Sequence, residues 1–188
     1  MRLFIALELP SAVKTALGEV QRSLQASPLP VRWVAPHAMH LTLVFLGETD
    51  SARLEPIGRA LREATAGIGA FELQLGQVGA FPNTRRPQVV WVGISGATAT
   101  LVTLQGAVAQ ALEPLGFPRE ARPYSAHLTL GRVSRDAIPQ QRSQIGAAVS
   151  AAAAPPALAW RADHVVLFES QLRPSGPEYH ARDTIVLP

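Results

Sequence analysis

The feature that most constrains this 188-residue chain is that it repeats itself. HLTLVFLGE starts at His40 and HLTLGRV at His127, while the apolar runs LFIAL and VVWVGI start at Leu3 and Val89. Amphipathic stretches begin at Ser11 and Thr98, and FELQLGQVGAF at Phe71 is matched by WRADHVVLF at Trp160. These four elements recur in one order at intervals of 86 to 89 residues. Chance supplies one such match easily and four in order rarely, so residues 1–188 read as a single domain with internal repeats of about 1–81 and 88–188.

Each repeat reads as strand, helix, strand, helix, strand. Val13, Leu17, Val20 and Leu24 recur at helical spacing behind Pro10–Ser11, and Leu54, Ile57, Leu61 and Ala64 repeat the pattern. In the second repeat Leu101, Leu104, Val108, Leu112 and Leu115 mark a helix. A further helix over about Asp136–Ala153 carries Pro139 in its first turn and Gly146 inside it. PNTRRP, residues 82–87, has no periodicity and reads as the connecting loop. The expected fold is α+β: two lobes of antiparallel sheet related by a pseudo-two-fold axis, helices outside, and a cleft between them where ligands usually sit.

Composition removes several function classes. Hydrophobic residues make up 47% of the chain, enough for a packed core. Cysteine is absent, which excludes a disulfide framework, a thiolate metal site and a cysteine nucleophile. The N-terminal apolar run stops at Glu8, and no segment approaches the ~18–20 apolar residues of a membrane helix. A soluble, cytoplasmic protein without membrane association is expected. The formal charge is +3, and of the 17 basic residues only Lys14 is lysine. Arginine's planar fork suits phosphate. The accompanying wealth of Ala and Pro is equally what GC-rich coding produces, so composition alone supports no nucleic-acid claim.

The chemistry lies in the repeated motif. Strict strand alternation puts His40, Thr42 and Val44 on one face and Leu41, Leu43 and Phe45 on the other; likewise His127 and Thr129 oppose Leu128 and Leu130. The leucines are the core side. Packing has no use for histidine twice on the opposite face, so the pairs point to function. Two imidazoles across a cleft suit in-line displacement at phosphorus, one taking a proton from water and one giving a proton to the leaving oxygen. Thr42 and Thr129 would hold the non-bridging oxygens. A zinc site needs three or four ligands, and no carboxylate accompanies either histidine at ligand spacing. His37 lies in a turn-like stretch, and His164 and His180 have no counterpart in the other repeat.

RLFIALELP, RWVAPHAMHLTLVFLGE, RPYSAHLTLGRV and the terminal SGPEYHARDTIVLP together resemble the RNA 2′,3′-cyclic phosphodiesterases, or 2′-5′ RNA ligases, of the 2H phosphoesterase superfamily. That resemblance implies a bilobal fold and hydrolysis of an RNA terminal 2′,3′-cyclic phosphate to a 2′-phosphate. It implies no metal and no cofactor, with reversible 2′-5′ joining as a side activity. By position, His40 and His127 are the acid–base pair, and Thr42, Thr129 and Arg132 bind phosphate. Arg132 sits at position +5, on the wrong face by alternation unless Gly131 introduces a bulge. Phe45 takes the same place in the first repeat, as a nucleotide contact or as core. Trp33, Tyr124, Arg122 and Arg32 flank the motifs as further nucleotide contacts, and Ala126 stands where the family commonly has proline. The implied partners are RNA ends, tRNA fragments among them, or nucleoside cyclic phosphates, met by a monomer. Rival readings are a nucleotide-binding module without turnover, a dedicated ligase, and an enzyme for another cyclic phosphate. The asymmetry of Arg132 favours His127 as base and His40 as acid.

Overall fold

The computed structural model describes residues 1–173 and 176–188; Ser175, which opens the last segment carrying the resemblance, lies outside the described residues. Nine strands and four helices follow in the order β1 (Arg2–Glu8), α1 (Ser11–Leu24), β2 (Val31–Trp33), β3 (His40–Glu48), α2 (Leu54–Thr65), β4 (Phe71–Phe81), β5 (Val89–Gly96), α3 (Thr98–Leu112), β6 (His127–Val133), α4 (Pro139–Ala151), β7 (Ala159–Ala162), β8 (His164–Arg173) and β9 (Gly176–Val186). The helices form where the apolar spacing requires them. Val13, Ala16, Leu17, Val20 and Leu24 are buried on α1, and Leu101, Leu104, Val108 and Leu112 on α3. Among the described residues no helix is long and apolar enough to cross a membrane.

Two antiparallel sheets carry the lobes, in the strand orders β3-β1-β8-β9 and β2-β6-β5-β4-β7. The fold is the expected bilobal α+β arrangement, but a lobe is not a repeat. β1 of the first half pairs with β8 of the second, which carries β9 on its far side, while β5 of the second half pairs with β4 of the first and β6 with β2. WRADHVVLF also departs from expectation: it is two strands, β7 and β8, split at Asp163 between the two sheets. The helices cross over too. Gln21 on α1 bonds to the β6 carbonyl of Leu130, and Gln105 on α3 bonds to the β3 carbonyl of Leu43. Each half therefore completes the other's lobe, and Leu7, Leu17, Ile57, Leu104, Leu128 and Ile145 belong to one continuous core.

The second helix of the second repeat begins at Pro139, whose missing N–H suits the first helical turn. Gly146 inside it has a packing reason. A Cβ there would collide with the backbone carbonyl of Thr84 in the β4–β5 loop, so glycine lets α4 lie directly on that loop. Arg142, one turn earlier, donates to the carbonyls of Pro87, Ser134, Arg135 and Ala137, fastening the loop and the β6–α4 connection together. Gly146→Ala is expected to destabilise the protein by about 1–3 kcal/mol, the usual cost of overpacking. The urea midpoint measures it; an unchanged midpoint would mean that α4 slides freely on the loop.

Candidate active site

β1 is one of the two inner strands of its sheet, between β3 and β8. Leu3, Ile5 and Leu7 lie on its core face, and Arg2, Phe4, Ala6 and Glu8 on the face toward the cleft. Its register with β3 sets His40 opposite Glu8 and Thr42 opposite Ala6, so both motif side chains take the cleft face. In the other lobe His127 is opposite Gly93 and Thr129 opposite Trp91. Leu41 and Leu128 are completely buried beneath them. At about 1.5–3 kcal/mol for burying each such side chain, the leucines hold the motif face outward.

Alternation fails three residues past each histidine, and in the same way. Thr42 is opposite Ala6 but Val44 is opposite Ile5, which leaves Leu43 as an extra residue. Thr129 is opposite Trp91 but Gly131 is opposite Val90, which leaves Leu130 extra. Each strand thus carries a bulge that shifts its phase by one. Val44 turns to the core side, opposite Ile5, and Phe45 turns to the cleft side, opposite Phe4. This corrects strict alternation, which assigned both the other way. The same shift carries Arg132, at position +5, to the cleft face. Gly131 permits close packing: a Cβ there would meet Val31 Cγ1 at 2.6 Å and Trp33 Cε3 at 2.9 Å.

That packing decides Trp33. Its ring covers Gly131 on the core side of β6, facing α1 rather than the cleft, so a nucleotide contact by Trp33 is not supported. Arg32 is opposite Arg132 and shares its face. Tyr124 braces the two lobes by donating its hydroxyl to the Thr42 carbonyl at 2.9 Å, and burial raises its pKa. Arg122 is exposed in the loop before β6. His37 is exposed in a turn, while His164 lies against Asp163 and His180 near Glu178.

The two imidazoles are held alike. His40 Nδ1 is 2.9 Å from the Ala38 carbonyl and His127 Nδ1 is 2.8 Å from the Ser125 carbonyl, each two residues back. A carbonyl only accepts, so Nδ1 carries the hydrogen and Nε2 remains for proton transfer. Aromatic rings wall His40, and one ring flanks His127. Phe4 lies 4.6 Å and Tyr179 5.1 Å from His40, and Phe81 stands edge-on 4.9 Å from His127. Burial lowers the His40 pKa to about 4, opposed by the Ala38 carbonyl and assisted by Lys14. Burial also lowers that of His127, opposed by the Ser125 carbonyl and assisted by Arg132. Arg132 also acts on Tyr179, whose pKa burial raises. It therefore lies within electrostatic reach of side chains from both lobes.

Phe4, Phe81, Trp91, Phe168 and Tyr179 escaped the sequence reading. Phe4 sits inside an apolar run that reads as core, and it is buried; only its register opposite Phe45 shows the cleft face. Tyr179 lies within the terminal segment that carried the resemblance, and that was its one signal. Among the described residues no three His, Cys, Asp or Glu side chains cluster as a metal site would need.

Residues 7–91 and 92–179 each match the LigT-like phosphoesterase family. An RNA 2′,3′-cyclic phosphodiesterase of Thermus thermophilus is 35% identical over 188 residues, covering 95% of this chain and 86% of the relative. One from Methanothermobacter thermautotrophicus is 30% identical over 179 residues, covering 95% of each. A Thermus thermophilus crystal structure superposes with a TM-score of 0.80 at 28% identity, over 100% of this chain and 98% of the other. Escherichia coli LigT bound to 3′-AMP superposes at 0.78 with 23% identity, over 99% and 97%, a likeness of fold. With both halves matched and both histidines seated equivalently, the chain belongs to the LigT-like phosphoesterase family.

Proposed function

We propose that the protein hydrolyses the 2′,3′-cyclic phosphate at an RNA end to a 2′-phosphate, with His40 and His127 as acid and base. The observation that carries this reading is the matched seating of the imidazoles. Each has Nδ1 tied to the carbonyl two residues back, which leaves Nε2 for proton transfer, and each shares its strand's cleft face with a threonine. The relatives' activity on RNA 2′,3′-cyclic phosphates supplies the substrate class.

In this scheme water attacks phosphorus in line with O3′. His127 Nε2 takes the water proton, the P–O3′ bond breaks, and His40 Nε2–H protonates O3′ to leave a 3′-hydroxyl and a 2′-phosphate. Thr42, Thr129 and Arg132 hold the non-bridging oxygens as charge accumulates on them. Phe45, 62% exposed on the cleft face and 6.2 Å from Phe4, offers a ring for base stacking. With a 5′-hydroxyl in place of water the same steps join two ends: the 5′-oxygen bonds to phosphorus, the P–O3′ bond breaks, and a 2′-5′ linkage and a 3′-hydroxyl result. Within this reading the protein acts as a cytoplasmic monomer with tRNA fragments among its substrates, testable by cross-linking RNA to it in cells.

His40→Ala and His127→Ala are each expected to lower kcat by about 10²–10⁴-fold with the fold intact, whereas Phe45→Ala raises KM instead. A substrate whose 3′ leaving group needs no proton separates the roles: it restores His40→Ala and not His127→Ala. The opposite pattern exchanges acid and base, and restoration of neither removes proton transfer from the mechanism.

The lowered histidine pKa values give a pH signature. In the free protein both imidazoles are neutral at pH 7, so the base is ready and the acid lacks its proton. Then kcat/KM, which reports the free enzyme, should decline as pH rises from below 6.5. A bound phosphate anion favours imidazolium, so the alkaline limb of kcat should lie at higher pH than that of kcat/KM. Coincident limbs would show that substrate does not bring the proton.

Catalysis in this scheme requires no metal. Turnover should survive exhaustive dialysis against EDTA, and loss restored by a divalent cation would overturn the scheme.

A further inference from the structure

Next to the cleft runs a groove of about 1170 Å³, shared by Arg132 and Arg32, by Arg85 and Arg86 of the β4–β5 loop, and by Arg135 and Arg142 of the connection into α4. Asp136 is the one carboxylate lining it. Arg142 is occupied by four backbone carbonyls. Among the described residues, none of the other five is in an ion pair, whereas Arg59, Arg62, Arg119, Arg173 and Arg182 elsewhere are. Among the described residues Arg53, Arg122 and Arg161 also lack a carboxylate partner, but none of them lines the groove, where five such arginines share one surface.

Their placement is built, and it costs stability. Arg32 is directly opposite Arg132 in the β2–β6 ladder, and like charges so placed repel. An anion between them would remove that cost. Asn83 Oδ1 accepts the backbone N–H groups of both Arg85 and Arg86 at 3.0 Å, which fixes the turn carrying them. Close packing of Gly146 on Thr84 and the Arg142 bond to the Pro87 carbonyl pin the same loop to α4. Arg132 belongs both to this groove and to the surroundings of His127. The groove therefore leads out of the cleft, and its volume exceeds what a single mononucleotide needs.

We propose that this groove is the track for the phosphodiester backbone of a single RNA strand whose reacting end lies between His40 and His127, with Arg85, Arg86 and Arg135 holding phosphates upstream of that end. It rests on the proposed cyclic-phosphate activity and adds a preference for polynucleotide ends over mononucleotides. The track reads charge rather than sequence, because guanidinium groups on a backbone carry no base information.

The test is a triple variant, Arg85→Gln, Arg86→Gln, Arg135→Gln, assayed on a nucleoside 2′,3′-cyclic phosphate and on a short RNA with the same end. The expected result is a KM for RNA raised about tenfold or more with kcat held, and no change for the nucleoside. The slope of log KM against log salt on RNA should fall by about 2, at ~0.7 for each single-strand phosphate no longer neutralised. The corresponding triple lysine variant should recover most of the RNA affinity. Equal losses on both substrates, or none on RNA, would overturn the track. Fluorescence anisotropy of a labelled short RNA ending in a 2′-phosphate makes the same comparison without turnover. If the cyclic phosphate proves not to be a substrate, this arm still decides the groove separately. RNA affinity untouched by the substitutions, with inorganic tripolyphosphate binding reduced, would reassign the groove to a free polyphosphate and also overturn the proposal.

Discussion

The site depends on one local irregularity used twice: an extra residue in each histidine strand, Leu43 in β3 and Leu130 in β6. Without it the period of two would send Phe45 and Arg132 into the core with the leucines. With it, His, Thr and the residue at position +5 share the cleft face in both lobes. A bulge needs support, because it breaks the regular ladder. Here a glutamine from the other half's helix meets each bulged carbonyl, Gln21 at 2.8 Å from Leu130 O and Gln105 at 3.4 Å from Leu43 O. Gln21 is buried, and its amide also donates to the Val34 carbonyl. The crossing of helices between lobes is thus tied to the shape of the motif strands.

The same architecture sets the electrostatics. Enclosing an imidazole in aromatic rings removes water that would solvate its charge, and the nearby cations Lys14 and Arg132 act in the same direction. The carbonyl bonds at Nδ1 oppose this, more weakly, and fix the tautomer. Without an anion the cleft therefore favours two neutral imidazoles, and an anion bound between them would shift that balance toward imidazolium. Asymmetry enters at position +5, where one lobe has the apolar ring of Phe45 and the other the charge of Arg132. A pseudo-symmetric frame so acquires an apolar side suited to a base and a cationic side that continues into the arginine groove.

Much of this is legible in the sequence because it follows from spacing. The recurrence of HLTL, the apolar runs and the helical periodicities place both motif strands and all four helices, and His40, Thr42, His127 and Thr129 share the cleft face as expected. Gly131 before Arg132 signals the local irregularity, although the glycine proves to serve packing beneath Trp33 and Val31. Leu43 carries no such signal, since a leucine in a bulge looks like any core leucine. Strict alternation therefore assigns Val44 and Phe45 to the wrong faces. Trp33 is near the motif in sequence, whereas its register opposite Gly131 puts it on the core side.

The sequence by itself determined most of the local elements and the chemistry: six strand segments and the four helices, though not β2, β9 or the division of WRADHVVLF into β7 and β8, and the imidazole and hydroxyl pairs that the two motif strands carry. Periodicity and side-chain chemistry are properties of neighbours along the chain, so they need no fold to be read. Only the tertiary structure decided which strands share a sheet, that each repeat completes the other's lobe, and that Phe4 and Tyr179 wall His40 while Arg132 reaches the cleft. Those outcomes depend on register and on contacts between residues far apart in the chain. A shift of one residue in a strand exchanges its two faces, and composition and periodicity do not encode that shift.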